Sequence, residues 1–169
     1  LRPALLDDPR VLVLGVRDPR VPIRALEILS STIHPAVVGE TESVLIRAVR
    51  WPVLAGVFGE GLWLQPKGTV LARVVVLPDA DQTPEMLAGL APGLPPGRQF
   101  ARRLAEHGCE VLVPVLINRD DTFSGNAKLA RYTNQPHREW IYRQAYEMGW
   151  HIIGYEVQKV LAAVDFFSA

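Results

Sequence analysis

The chain has 169 residues, room for one domain with a core of its own, and its make-up, 49% hydrophobic and 21% charged, is that of an ordinary globular protein. Its 18 basic and 18 acidic residues cancel to a formal net charge of zero, without the basic excess that neutralises phosphates, so no nucleic acid is expected as a partner. No apolar run approaches the roughly 20 residues that span a bilayer, so no membrane partner is expected either, and the lone Cys109 excludes an internal disulfide while leaving the compartment open.

The sequence opens on Leu1 rather than methionine, which points to a natural start upstream, and it carries no signal-peptide pattern, so localisation stays undetermined. Arg2, Arg10, Arg17, Arg20 and Arg24 are interleaved with Asp7, Asp8, Asp18 and Glu27, the mark of a solvated mixed surface. "VLVLGV" at residues 11–16 reads as a buried strand, and its Gly15 stands without the further glycines of a dinucleotide-binding turn. "IRALEILSS" then fits a short helix with Ile23, Leu26 and either Ile28 or Leu29 inward. From Ser43 the pattern turns to strands: "SVLIRAVRWPVL", a turn at "AGVFGEG" and "LWLQPKG" form an antiparallel pair. The unalternating run Val74, Val75, Val76 and Leu77 in "VLARVVVLPDA" predicts a strand buried on both faces, as in a parallel sheet covered by helices.

A long loop rich in Pro and Gly, "PDADQTPEMLAGLAPGLPPG", leads to the helix "RQFARRLAEHG", with Phe100, Ala101 and Leu104 inward and Gly108 as its stop. "EVLVPVLIN" is a second buried strand, preceded by Cys109 as a buried, inert thiol, and strand, helix, strand at this spacing make a βαβ unit. The polar loop "RDDTFSGNAKLARYTNQP" precedes "HREWIYRQAYEM", a separate helix in which Trp140, Tyr142 and Tyr146 serve packing, with Gly149 and Gly154 after it marking either a bend or close packing. Last comes a helix whose apolar face is Ile153, Val157, Val160, Leu161, Val164 and Phe167.

This order of elements, together with "RWPVLAGVFGEGLWLQPKG", "VVVLPDADQTPEMLAGLAPGLPPGRQFARRLAEHGCEVLVPVLINRDDTFSGN" and "TNQPHREWIYRQAYEMGWHIIGYEVQKVLAAVDFF", resembles the front half of the α/β-hydrolase fold. Within that superfamily it is similar to dienelactone-hydrolase-related and acetyl-xylan-esterase-like proteins, over residues 44–169. The fold class expected is therefore α/β: a partial α/β-hydrolase fold, an antiparallel strand pair leading into a βαβ unit and a long terminal helix, truncated before the nucleophile strand. Residues 1–41 would form a lead-in or the end of a preceding domain, and residues 42–169 the N-terminal half of the hydrolase domain. In that superfamily a Gly-x-Ser-x-Gly elbow carries the nucleophile, and the acid and the histidine come later. None of Ser30, Ser31, Ser43, Ser124 and Ser168 stands in that frame, so no catalytic residue is identifiable. Combinations of Ser124 with His34, His107, His137 or His151 and with Asp81 or Asp120 are read as accidental. His137 and His151 are too far apart for a helical metal pair, and neither a metal nor another cofactor is expected.

The resemblance implies that this stretch supplies an oxyanion-hole backbone N–H from the loop after the third strand, at Ala80 or Asp81. A capped turn in which Asp79 and Asp81 accept local N–H bonds is the alternative, and the two can coexist. Loops at strand C-terminal ends put Arg119, Asp120, Asn134, His137, Arg138 and Trp140 where they could line or brace a pocket, with a salt-bridged loop as the plainer reading. The implied function is that of an incomplete catalytic domain of a serine hydrolase, acting on a small-molecule carboxylic ester through an acyl-enzyme, with nucleophile, acid and histidine encoded downstream. Alone, the 169 residues are expected to be inactive and poorly soluble or partly molten, since strand 73–77 would keep an apolar edge and the last helix an uncovered face. A noncatalytic α/β interaction module and part of a prolyl-oligopeptidase-like peptidase are the alternatives, and the oligomeric state is left open.

Overall fold

The structure is a computed structural model that describes residues 16, 18–121, 125–126, 131–132 and 135–169, the two residue pairs by their backbone only. The strand expected at residues 11–16, all but Val16, lies outside the described residues, as do Arg2, Asp7, Asp8, Arg10, Gly15, Arg17, Ser124 and Asn134.

Two long strands organise the sheet: β3 (Val44–Leu54) and β4 (Val57–Pro66) pair antiparallel along their whole length. Ala55 and Gly56 join them, and Gly56 takes a left-handed φ of 77° that closes a two-residue turn. The turn expected over "AGVFGEG" is thus much tighter, and Val57 to Gly61 belong to the strand. Pro52 has no N–H to give, and the register shifts between it and Leu54. Two short strands, β1 (Glu27–Ile28) and β2 (Gly39–Glu40), lie on the outer side of β3. The short helix expected over "IRALEILSS" is therefore absent. A nine-residue helix is marginal in water, whereas the β3 edge offers backbone partners, among them Ala48 O for Leu29 N at 2.9 Å, and an Arg50–Glu27 ion pair at 2.9 Å. Ile23 and Leu26 still pack inward, while Ile28 is exposed.

The βαβ unit is present. Strand β5 (Ala72–Val75) runs parallel to β6 (Cys109–Pro114), with Val74 opposite Val111, and β6 in turn lies antiparallel to β4. The six strands run β1-β3-β4-β6-β5, with β2 also on β3, so β5 is an edge strand. Its apolar run packs on both faces, Val74 and Val76 in the core on one and Val75 against the core on the other, but Leu77, expected buried with them, is 50% exposed, and β6 is the more enclosed strand, with Val111 to Pro114 buried. Cys109 is half-buried rather than buried.

The Pro/Gly-rich segment hides a helix, α1 (Pro84–Ala88), capped by the Thr83 hydroxyl and ended by Gly89. In α2 (Phe100–Glu106) the fully buried residues are Ala101 and Ala105, with Leu104 packed beside them. Phe100, expected inward, is 40% exposed, because the two alanines, four apart, bring the backbone close to the sheet and turn its ring aside. Gly108, at φ 87°, stops α2 as expected. After a two-stranded hairpin, β7 (Gly125–Asn126) with β8 (Arg131–Tyr132), come α3 (His137–Glu147) and α4 (Ile152–Ser168), separated by the bend at Gly149. Trp140 and Tyr146, expected to pack, are largely exposed.

Helices cover the sheet on both faces. Even-numbered Val44 and Ile46 of β3 join Val111 and Val113 under α1 and α2, and odd-numbered Val49, Trp51 and Val53 join Leu112 under α4. Of the stripe expected on α4, Phe167 packs against the sheet, but the closest contact is made elsewhere on the helix. Ala162 and Ala163 pack there, Gly154 and Gln158 are buried, and Ile153 and Val164 are 40% and 42% exposed. The small residues let the helix approach so closely that the Trp51 indole donates to the Lys159 carbonyl at 3.2 Å, and the larger aliphatics are left at the flank.

Candidate functional site

Ligands of open α/β sheets bind where strands end at their carboxyl side, and here two loops meet at that edge of β5 and β6. After β5, Asp79 to Gln82 form a turn: Gln82 N donates to Asp79 O at 2.9 Å, and the Gln82 amide oxygen accepts from Asp79 N at 3.3 Å. Ala80 N donates to the Asp79 carboxylate at 2.7 Å, so its N–H is already engaged. The Asp81 N–H has no partner among the described residues. Of the two oxyanion candidates, only Asp81 therefore offers an unoccupied backbone donor. Its side chain reaches across to Arg119 at 3.7 Å, an exposed pair that water screens.

The loop after β6 is pinned to the start of α3. Pro136 precedes that helix and has no side-chain cap to offer, and the first N–H groups find loop carbonyls instead: His137 N donates to Asp120 O at 2.7 Å and Arg138 N to Asn118 O at 3.0 Å. The Asn118 amide oxygen accepts from Asp120 N at 3.3 Å and lies 3.2 Å from His137 Nδ1. Trp140, one turn on, is 54% exposed. His137, Asp120 and Arg119 thus share one loop-and-helix corner with Asp81, while Asn134 lies outside the described residues.

Arg138 turns inward instead. Its guanidinium makes a two-pronged bond to the Glu156 carboxylate, both contacts at 2.6 Å, and also donates to Ile117 O at 3.1 Å, while Glu156 accepts from Ile117 N at 3.3 Å. The bond to Glu156, offset in part by burial, raises the Arg138 pKa further above its ordinary value. This cluster ties α3, α4 and the β6 loop together, so Arg138 braces the edge. Beside it, burial holds the Lys159 ammonium below the usual lysine range, an effect opposed by Glu156 and Glu60, and Lys159 Nζ donates to Val115 O at 3.0 Å. Neither Glu156 nor Lys159 stood out in the sequence, where both look like solvated breaks in an apolar helix.

Ser31, Ser168, His107 and His151 serve local structure. Ser31 Oγ accepts from Ile33 and His34 N, Ser168 Oγ donates to Val164 O, His107 Nδ1 lies 2.7 Å from Arg103 O, and the His151 ring caps α4 by accepting from Ile153 N. Among the described residues no serine hydroxyl is hydrogen-bonded to a histidine ring, and no three His, Cys, Asp or Glu side chains are grouped to hold a metal ion.

No family model and no curated protein matches the chain. Among solved structures, a crystal structure of a "putative acetyl xylan esterase" from Bacteroides fragilis superposes on it with a TM-score of 0.57 at 15% identity. The match covers 92% of this chain and 40% of that one, so these 169 residues span well under half of the matched protein's length. At this identity the likeness concerns the fold alone: the chain has a mixed α/β fold that superposes on part of that structure.

Proposed function

We propose that these residues form the oxyanion-binding half of an esterase-like serine hydrolase that cleaves small carboxylic esters through an acyl-enzyme. The observation that carries this reading is the Asp79 to Gln82 turn at the carboxyl edge of β5, which leaves the Asp81 N–H without a partner among the described residues. A backbone donor fixed at a strand end stabilises the charge that develops on an ester carbonyl oxygen as it is attacked. Arg119, Asp120, His137 and Trp140 are placed to line the acyl or alcohol site beside it, and Arg138 holds that wall through Glu156. No serine here stands in a Gly-x-Ser-x-Gly frame, so this reading calls for a nucleophile, base and acid supplied from outside these residues and expects the 169 residues alone to be inactive.

Hydrolysis of p-nitrophenyl acetate by the longer protein tests this. Asp81→Pro removes the proposed donor and is expected to lower kcat by about 10²–10³-fold, the usual cost of one oxyanion donor. Ala80→Pro, which removes an N–H already spent on Asp79, is expected to stay within about tenfold of the parent, since only a donor aimed at the oxyanion carries that cost. Equal rates in the two proline variants, with matching circular dichroism, would contradict the assignment, as would turnover by the 169 residues alone.

A further inference from the structure

The chain has three lysines, Lys67, Lys128 and Lys159. Lys67 forms an exposed ion pair with Glu40 at 2.6 Å, and Lys128 lies outside the described residues. Lys159 is placed quite differently. Its stem lies against β4 at Gly59, where a Cβ would come within 2.7 Å of Lys159 Cγ and 2.5 Å of the Trp51 ring, so the lack of a side chain at Gly59 is what admits it. The amine emerges past the end of β6, where it donates to Val115 O at 3.0 Å, and Val115 is 43% exposed. The charged groups that face it are Glu156 on α4 and Glu60 on β4. Neither forms an ion pair with it, and both oxygens of Glu156 are held by Arg138 of α3 at 2.6 Å. An ammonium withdrawn from water, bonded to one neutral carbonyl and paired with no carboxylate, gives up its proton readily. The amine so formed is a nucleophile at a rim that a small reagent reaches.

We propose that Lys159 is a modification site that takes an acyl group from an activated donor, an acyl phosphate or an acyl thioester. In that step the free amine attacks the acyl carbon and a C–N bond forms. The C–O or C–S bond breaks, phosphate or thiolate leaves with the electron pair, and the nitrogen loses one proton to water. The surroundings select acylation over other lysine chemistry. The product amide carries no charge, so burial no longer works against it, and it keeps one N–H for the Val115 carbonyl. A neutral imine would leave that carbonyl without its donor, and a methylated amine would remain a buried, unpaired cation. Val115 opens the segment that carries Arg119 and Asp120, so the acyl group is set at the root of the candidate site's loop. The inference rests on the packing around Lys159 and does not require the hydrolase reading.

Chemical labelling tests it without any assay of ester hydrolysis, so its failure would leave the esterase proposal standing. The folded 169-residue chain is incubated with acetyl phosphate, and in parallel with S-acetyl-N-acetylcysteamine, at about pH 8, and acetylation of each lysine is followed by peptide mass spectrometry. Lys159 is expected to react at least about threefold faster than Lys67 with one or both donors, the mark of a desolvated amine. A preference for one donor identifies the class that the site takes. The difference should vanish in concentrated urea, because the fold creates it. Glu60→Gln, a change at an exposed residue, removes a carboxylate that holds the proton on Lys159 and should raise the Lys159 rate further while leaving that of Lys67 unchanged. Equal or slower reaction of Lys159 in the folded chain, or labelling of Lys159 only in urea, overturns the proposal. So does a Lys159 rate that Glu60→Gln lowers or leaves unchanged.

Discussion

At the residue scale the most consequential pair is Arg138 with Glu156, whose side chains are only 25% and 12% exposed. Removing one partner of such a pair strands the other charge, which costs about 3–5 kcal/mol when burial is complete. Arg138→Ala is therefore expected to lose roughly 3 kcal/mol in urea unfolding, the low end of that range, because the pair keeps some access to water; a loss below 1 kcal/mol would make it an ordinary surface contact. Lys159 makes a signed prediction. Burial lowers its folded pKa, while an unfolded lysine titrates near 10.4. Between the lowered value and about 10.4 the unfolded state binds more protons, so stability rises with pH across that window. Tyr155, raised by burial and by Asp18, acts in the opposite direction above about 10. Lys159→Met should flatten the rise measured on the alkaline side below about pH 10.4, and an unchanged slope would show that Lys159 is not its source. The sequence marks Arg138 as able to brace a pocket but not its partner, since Glu156 finds Arg138 across 18 residues of chain and only the fold brings them together.

At the scale of elements, the long strands could be read from the sequence because their pattern repeats over many residues, and the βαβ order because its spacing is characteristic. Elements set by tertiary contact escaped. The "IRALEILSS" segment became an edge strand once β3 supplied partners, and α1 was missed inside a Pro/Gly-rich stretch although Thr83 and Pro84 form a helix start. The periodicity of α4 was read correctly, but its stripe points to a groove and its alanines to the sheet. Close packing also explains Gly61, which faces Pro114 across β4 and β6: a Cβ there would lie 2.1 Å from the Val113 carbonyl oxygen and 2.9 Å from Pro114 Cα. Gly61→Ala must push the two strands apart and is expected to cost about 3 kcal/mol, the upper end for overpacking, whereas a loss under 1 kcal/mol in urea would mean that the strands yield freely.

The sheet order follows at the scale of the whole molecule from where each apolar run finds cover. β6 sits between β4 and β5 with a helix layer on each face, and β5 keeps one side open beside the apolar flank of α4. Both loops that leave the parallel pair at its carboxyl edge converge there, joined by Arg119 and Asp81 and braced by Arg138. The resemblance led to Ala80 and Asp81 alike; only the turn's own hydrogen bonds separate them, because the Asp79 carboxylate takes the Ala80 N–H and leaves that of Asp81. The central claim is that this remaining N–H faces the reacting carbonyl oxygen. The most direct test is a crystal structure of the longer protein inactivated with diethyl p-nitrophenyl phosphate, which leaves a phosphoryl group on a nucleophilic serine. The account predicts a phosphoryl oxygen about 2.7–3.1 Å from Asp81 N, the distance of an oxyanion donor. A phosphoryl group seated away from the Asp79 to Gln82 turn, or a protein that takes up none, would contradict it.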